Sequence, residues 1–195
     1  DKEVVGLSRK YQIDIAIDLG GFTQNSRTDI FLNRAAPIQV NYLGYPGTMG
    51  SKYFDYIIAD REIIPDGFQK FYSEKIIYLP DTYQANDRKR EIAEMGLTRQ
   101  ECGLPENGFV FCCFNNTFKI MPETFESWMR ILKSVQGSVL WLLEDNLAAK
   151  ENLRKEAKKR GVDGSRLVFA ARVQMRDHLA RHRLADLFLD TTPYN

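Results

Sequence analysis

Two short clusters hold most of the residues able to do chemistry. The first is Phe114-Asn115-Asn116-Thr117-Phe118-Lys119, where amides, a hydroxyl and an ammonium follow an apolar run directly. A lysine there can meet a phosphate as a point charge, and the Asn116 amide can donate to the same oxygens. The second spans Arg172 to Arg181. His178 and Arg181 are three apart and share a helix face, so the imidazole can lie against a flat base with the guanidinium beside it. Both clusters also have plainer readings, as an asparagine-rich turn and as an ordinary surface helix. Gly44-Tyr45-Pro46-Gly47-Thr48-Met49-Gly50 is a third candidate, either a rigid turn or backbone that must approach a substrate.

Several chemistries are excluded by spacing. The glycines at 44, 47 and 50 fit neither G-x-G-x-x-G nor a phosphate-binding Walker loop. His178 and His182 are four apart, but Leu179 stands where a zinc-protease glutamate belongs. No G-x-S-x-G elbow occurs, nor any Asp-x-Asp to hold a metal on a diphosphate. A nucleotide diphosphate would therefore be neutralised by side chains and helix ends. Adjacent Cys112 and Cys113 point to opposite faces of a strand and read as buried filler.

The elements that must position these groups follow from periodicity. Ile13 to Leu19 alternates, with its isoleucines on one face, and Gly20-Gly21 stops it. Ile38 to Leu43, Tyr56 to Ala59 and Ile76 to Leu79 read as further short strands, with a helical piece at Asp29 to Leu32. Pro80 to Gly108 changes character and reads as a linker. Beyond it, strands at Phe109 to Phe114, Ser138 to Leu143, Leu167 to Ala171 and Leu187 to Leu189 alternate with helices at Pro122 to Val135, Ala148 to Arg160 and Asp177 to Arg183. That alternation predicts parallel βαβ units, an α/β fold, and ligands beyond the carboxyl ends of the strands. In the first of these helices Phe125, Trp128, Met129 and Leu132 form one apolar stripe. The basic helix from Ala148 reads as a solvated face.

Composition bounds the rest. The 195 residues carry a net charge of +1, which argues against a partner bound through a broad basic face, so nucleic acid is not expected. No apolar run is long enough for a membrane span, so no membrane partner is expected either. Three cysteines, two of them adjacent, are no disulfide framework. A reducing, cytoplasmic location is the expectation.

Longer motifs carry a resemblance. They are Gly20-Gly21-Phe22-Thr23, Ala36-Pro37-Ile38-Gln39, Leu43-Gly44-Tyr45-Pro46-Gly47-Thr48, Asp55-Tyr56-Ile57-Ile58, Tyr72-Ser73-Glu74-Lys75, Phe114-Asn115-Asn116 through Lys119, Ser138 to Leu143, and Leu184-Ala185-Asp186 through Asp190-Thr191. In this order the chain closely resembles the catalytic region of the O-linked N-acetylglucosamine transferase family, nearest to its bacterial members. The resemblance implies Rossmann-like parallel sheets belonging to the two lobes of a glycosyltransferase B fold. Residues 1–80 would be the later part of the N-terminal lobe, 81–107 a linker, and 108–195 the first part of the UDP-binding lobe. It implies inverting transfer of N-acetylglucosamine from UDP-N-acetylglucosamine to protein Ser or Thr, with no metal or other cofactor.

By motif, Lys119 matches the lysine that neutralises the departing diphosphate, the catalytic role. Asn116 stands where animal members have glutamine. Val173 matches a position whose backbone meets uracil, His178 the histidine beside the base, and Arg181 the arginine on uracil. Phe22, Leu43 and Gly44 match positions on the sugar and acceptor side. Met175 departs from the animal pattern, which has a lysine near the ribose. The family's His-Thr-Thr run, its helical tetratricopeptide repeats and the start of the N-terminal lobe do not occur in these residues. The expectation is a piece of the enzyme with little activity alone. Two alternatives stay open: a related transferase using another UDP-hexose or acceptor, or a degenerate non-catalytic binding domain.

Overall fold

The computed structural model describes residues 1–94 and 96–193. Of the residues beyond the last expected strand, positions 194 and 195 lie outside the described residues. The chain divides into two compact units, Asp1–Arg88 and Lys89–Asn195. Among the described residues, no helix is long and apolar enough to cross a membrane.

The first unit is built on a four-stranded sheet with order β1-β2-β3-β4: β1 (Ile15–Asp18), β2 (Ile38–Asn41), β3 (Tyr56–Ala59) and β4 (Lys75–Tyr78). All neighbours are parallel. Helices α1 (Lys2–Lys10) and α2 (Asp29–Leu32) precede β1 and β2. The first of these was not anticipated; Glu3 in its first turn and Arg9 and Lys10 in its last suit the helix dipole.

The isoleucine face of β1 is the open one. Ile15 and Ile17 are 52% and 47% exposed, and Ile38, paired with Ile15, is exposed as well. The covered face carries Ala16, Asp18, Gln39, Asn41 and Ile57 instead. The reason is what covers it. Irregular segments with unpaired backbone groups lie there, so the strand must bury polar side chains to satisfy them. Gln39, wholly buried, donates from Nε2 to Phe31 O and Tyr53 O at 2.9 and 2.6 Å and accepts from the Ala35 N–H at 2.8 Å.

The second unit is an α/β layer with both sheet faces covered. Its strands are β5 (Val110–Cys113), β6 (Val139–Leu143), β7 (Leu167–Ala170) and β8 (Leu187–Phe188), ordered β7-β6-β5-β8 and all parallel. Both predicted strand faces of Cys112 and Cys113 are used. Cys113 packs with Phe125, Trp128, Met129, Leu132, Leu140 and Leu142, while Cys112 packs with Phe114, Trp141, Leu143 and Leu184. Three helices cross between strands: α3 (Pro122–Ser134), α4 (Leu147–Lys159) and α5 (Met175–Arg181). The apolar stripe of α3 is buried as its spacing requires. Arg166 closes the end of α3, donating to Leu132 O and Val135 O at 2.7 and 2.8 Å. Asn146 caps α4 by accepting the Ala149 N–H at 3.2 Å.

Part of the expected linker is built into this unit. Arg99 donates to Leu184 O at 3.0 Å and Gly108 O at 2.9 Å, and pairs with Asp186 at 2.8 Å. Leu104 is buried with Cys112 and Trp141. The Arg99 guanidinium fork, with Leu104 and Cys102 packed against the cluster, helps hold this polar stretch to the sheet.

Leu140, fully buried on β6, tests this core. Leu140→Ala is expected to lower unfolding free energy by ~2–5 kcal/mol, read from the urea midpoint.

Candidate functional site

In the second sheet the chain runs β5, β6, β7 in one direction and returns to place β8 on the other side of β5. The strand order reverses at β5, and in such sheets ligands bind at the carboxyl ends there. The lysine-bearing segment leaves at that point. Asn115 Nδ2 donates to Asp190 Oδ1 at 3.0 Å and to Thr191 Oγ1 at 2.8 Å, joining the ends of β5 and β8. Thr117 donates its N–H and its hydroxyl to Asp145 at 2.9 and 2.8 Å, joining β5 to β6. Arg172 Nη2 donates to Asn116 Oδ1 at 2.7 Å, reaching from the end of β7. Three tethers thus fix the short helical turn Thr117–Lys119. Lys119 is half-buried on that turn, and its charge, with that of Asp190, is felt by the Cys113 thiol on β5.

The His-Arg pair occupies the neighbouring strand ends. Arg181 is 5% exposed. Its guanidinium lies 4.2 Å from the Phe114 ring centre and 5.9 Å from that of Trp141. Nη1 donates to Ala171 O at 2.8 Å, and Nη2 meets His178 Nδ1 at 2.6 Å. A guanidinium can only donate, so Nδ1 accepts and the imidazole proton sits on Nε2. Burial, the Arg181 charge and His182 hold His178 down at about 4, so the ring is neutral at pH 7. It presents a flat face and one N–H donor.

Two cavities flank Arg181. One of about 210 Å³ is lined by Phe114, Leu143, Arg172, Val173, Met175 and His178; the other, about 230 Å³, includes Trp141, Phe169 and Val173. Val173 and Arg181 wall both. The cysteines are not nucleophiles here: burial pushes Cys112 up to about 12 and raises Cys113.

Phe22, Leu43 and Gly44 gather at the carboxyl ends of β1 and β2 in the first unit. Phe22 is exposed and meets Tyr45 edge-on at 5.6 Å. Leu43 has φ +75° at the centre of a three-residue turn closed by Gly44 N–H to Tyr42 O at 3.0 Å. A Cβ on Gly44 would come within 2.4 Å of Leu19 O, so the glycine is needed for the two loops to touch. Buried Glu74 clamps the glycine-rich loop, accepting the Met49 N–H and the Thr48 hydroxyl, both at 2.7 Å.

The geometry joins Asn116, Val173, His178 and Arg181 around the strand ends of one sheet, with Lys119 on the adjoining turn. The Glycosyl transferase family 41 model matches residues 7–97 and 90–195. The chain belongs to that family. It is 39% identical over 185 residues to a probable UDP-N-acetylglucosamine--peptide N-acetylglucosaminyltransferase, SEC, of Arabidopsis thaliana, covering 92% of this chain and 19% of that protein. It is 26% identical to the Caenorhabditis elegans UDP-N-acetylglucosamine--peptide N-acetylglucosaminyltransferase, covering 92% of this chain and 25% of the relative. A solved structure of a point mutant of Thermobaculum terrenum O-GlcNAc transferase superposes with a TM-score of 0.87 at 29% identity, over 99% of this chain and 36% of the other. The family 41 chain therefore spans a quarter or less of these two curated relatives. Its two parallel α/β sheets match the fold of the solved transferase.

Arg172 opens the second sequence cluster and Glu74 sits in a quoted motif, but neither they nor Asp145 were given a role from sequence. Each acts on a group distant along the chain, which leaves no local pattern. Only the position of Arg172 and Asp145 at strand ends signalled them.

Two outcomes follow for this family 41 chain. Between pH 8 and 3, nuclear magnetic resonance should show His178 titrating near 4, far below a free histidine. The folded value lies below the unfolded 6.5, so this group's contribution to stability is complete above about 6.5 and is lost as pH falls toward 4. Glu74→Ala leaves the Met49 N–H buried without its acceptor and should cost ~1–3 kcal/mol in urea unfolding.

Proposed function

We propose that the complete protein transfers N-acetylglucosamine from UDP-N-acetylglucosamine to Ser or Thr of proteins, with inversion, without a metal, and in the cytoplasm. The observation that carries this reading is the neutral His178 locked against Arg181 above Phe114, beside a tethered loop that ends in Lys119. A neutral imidazole face with one N–H suits a uracil ring. Val173 lines both flanking cavities and lies at the end of β7, where its backbone can meet the base edge. Asn116 and Lys119 then take the diphosphate at the point where the strand order reverses. Phe22, Leu43 and Gly44 serve the sugar and acceptor side.

The chemical step follows from charge. The anomeric carbon breaks its bond to the diphosphate, whose oxygen keeps the electron pair, as the acceptor oxygen attacks the opposite face and its hydroxyl proton passes to solvent. Negative charge grows on the departing β-phosphate. An ammonium held at that place is worth most when that charge is fullest, which lowers the barrier rather than tightening ground-state binding. With no Asp-x-Asp in the sequence, cationic side chains do the work a divalent ion would do. The names of the relatives support the donor and acceptor classes.

Lys119→Met in the complete protein is expected to lower kcat about 10²–10³-fold with UDP affinity reduced far less and the circular dichroism unchanged. Sugar transfer should persist in excess EDTA. Full turnover by the methionine variant would falsify the role of Lys119, and loss of turnover in EDTA would overturn the metal-free step.

A further inference from the structure

Two guanidiniums border the cavity of about 210 Å³, and they are held in opposite ways. Arg181 faces inward. Its Nη groups are engaged by Ala171 O and His178, and its plane lies against Phe114. Arg172 is exposed at the end of β7. Among the described residues it pairs with no carboxylate, and its hydrogen bond runs to a neutral amide oxygen, Asn116 Oδ1.

That contact decides what the amide can do. A carboxamide offers an oxygen that accepts and a nitrogen that donates, and it can turn either outward. Phosphate oxygens need donors and are repelled by a carbonyl. With Oδ1 occupied by Arg172, Nδ2 carries both its N–H groups on the other side of the amide. The guanidinium keeps further donors of its own, in a fork that matches two anionic oxygens. Met175, which also lines this cavity, brings no charge.

We propose that Arg172 is an anion-binding and positioning residue. It fixes Asn116 as a donor, and the two residues together form a clamp for the phosphates of a nucleoside diphosphate. This rests on the donor reading given above. It adds a second cation to Lys119, supplied from β7 rather than from β5.

The test is calorimetry of the complete protein with UDP and with uridine, which shares the base and ribose but has no phosphate. Wild type is expected to hold UDP far more tightly than uridine. Arg172→Met should weaken UDP about 30-fold, the loss of a charge-assisted contact, and leave uridine within about twofold. Arg172→Lys should fall between, because it keeps the charge and loses the fork. Asn116→Ala combined with Arg172→Met should cost less than the two separate losses together, since the amide is useful only when oriented. Unchanged UDP affinity in Arg172→Met overturns the clamp. So does an equal loss of UDP and uridine, which would make Arg172 a wall of the base pocket. A wild type that holds UDP no better than uridine overturns the donor reading itself, and the clamp with it.

Discussion

A positive charge sits inside the second unit with no carboxylate to meet it among the described residues. Taking a guanidinium out of water is costly, and around Arg181 the offset comes from aromatic faces, one carbonyl and one imidazole nitrogen. Much else depends on this. The Phe114 ring must lie at the end of β5 to receive the cation. Ala171 O must face it from the end of β7. His178 stays neutral because burial and the neighbouring Arg181 charge both oppose a second charge there. One buried cation thus sets the tautomer of the imidazole, the placement of α5 and the spacing of three strand ends.

The lysine-bearing loop is organised by the opposite logic. Its tethers are short, polar and reach acidic or hydroxyl partners on β6 and β8. They satisfy the loop's own polar groups and fix the turn that carries Lys119. A rigid aromatic shelf and a tethered, lysine-bearing loop thus lie at neighbouring strand ends of one sheet, the arrangement on which the proposed nucleotide reading rests.

How much of this was legible beforehand depends on the range of the interaction. The βαβ alternation of the second unit follows from local periodicity, and so do the buried stripe on α3 and the opposed cysteines. Asn116 and Lys119 drew notice because polar groups crowd directly after an apolar strand, and His178 and Arg181 because they share a helix face; the roles given to all four came from the resemblance. What local pattern could not carry was the partner of each group. Nothing near Arg172 in the chain announces Asn116, and nothing near Arg99 announces Asp186. The face of β1 was hidden for a related reason: alternation shows that two faces differ, while the choice between them rests on the loops that cover one side. Gln39 is buried because of backbone groups at Phe31, Ala35 and Tyr53, none of which alternation records.

The bare isoleucines of β1 and β2 carry a consequence for handling. A net charge of +1 gives molecules almost no mutual repulsion. A parallel strand at the margin of its sheet, flanked by an oily surface, is a template on which a second strand can grow. Concentrated samples of these 195 residues will therefore tend to stick through the first unit. Added acidic residues on that surface, rather than changes to the second unit, are the natural remedy for colloidal instability.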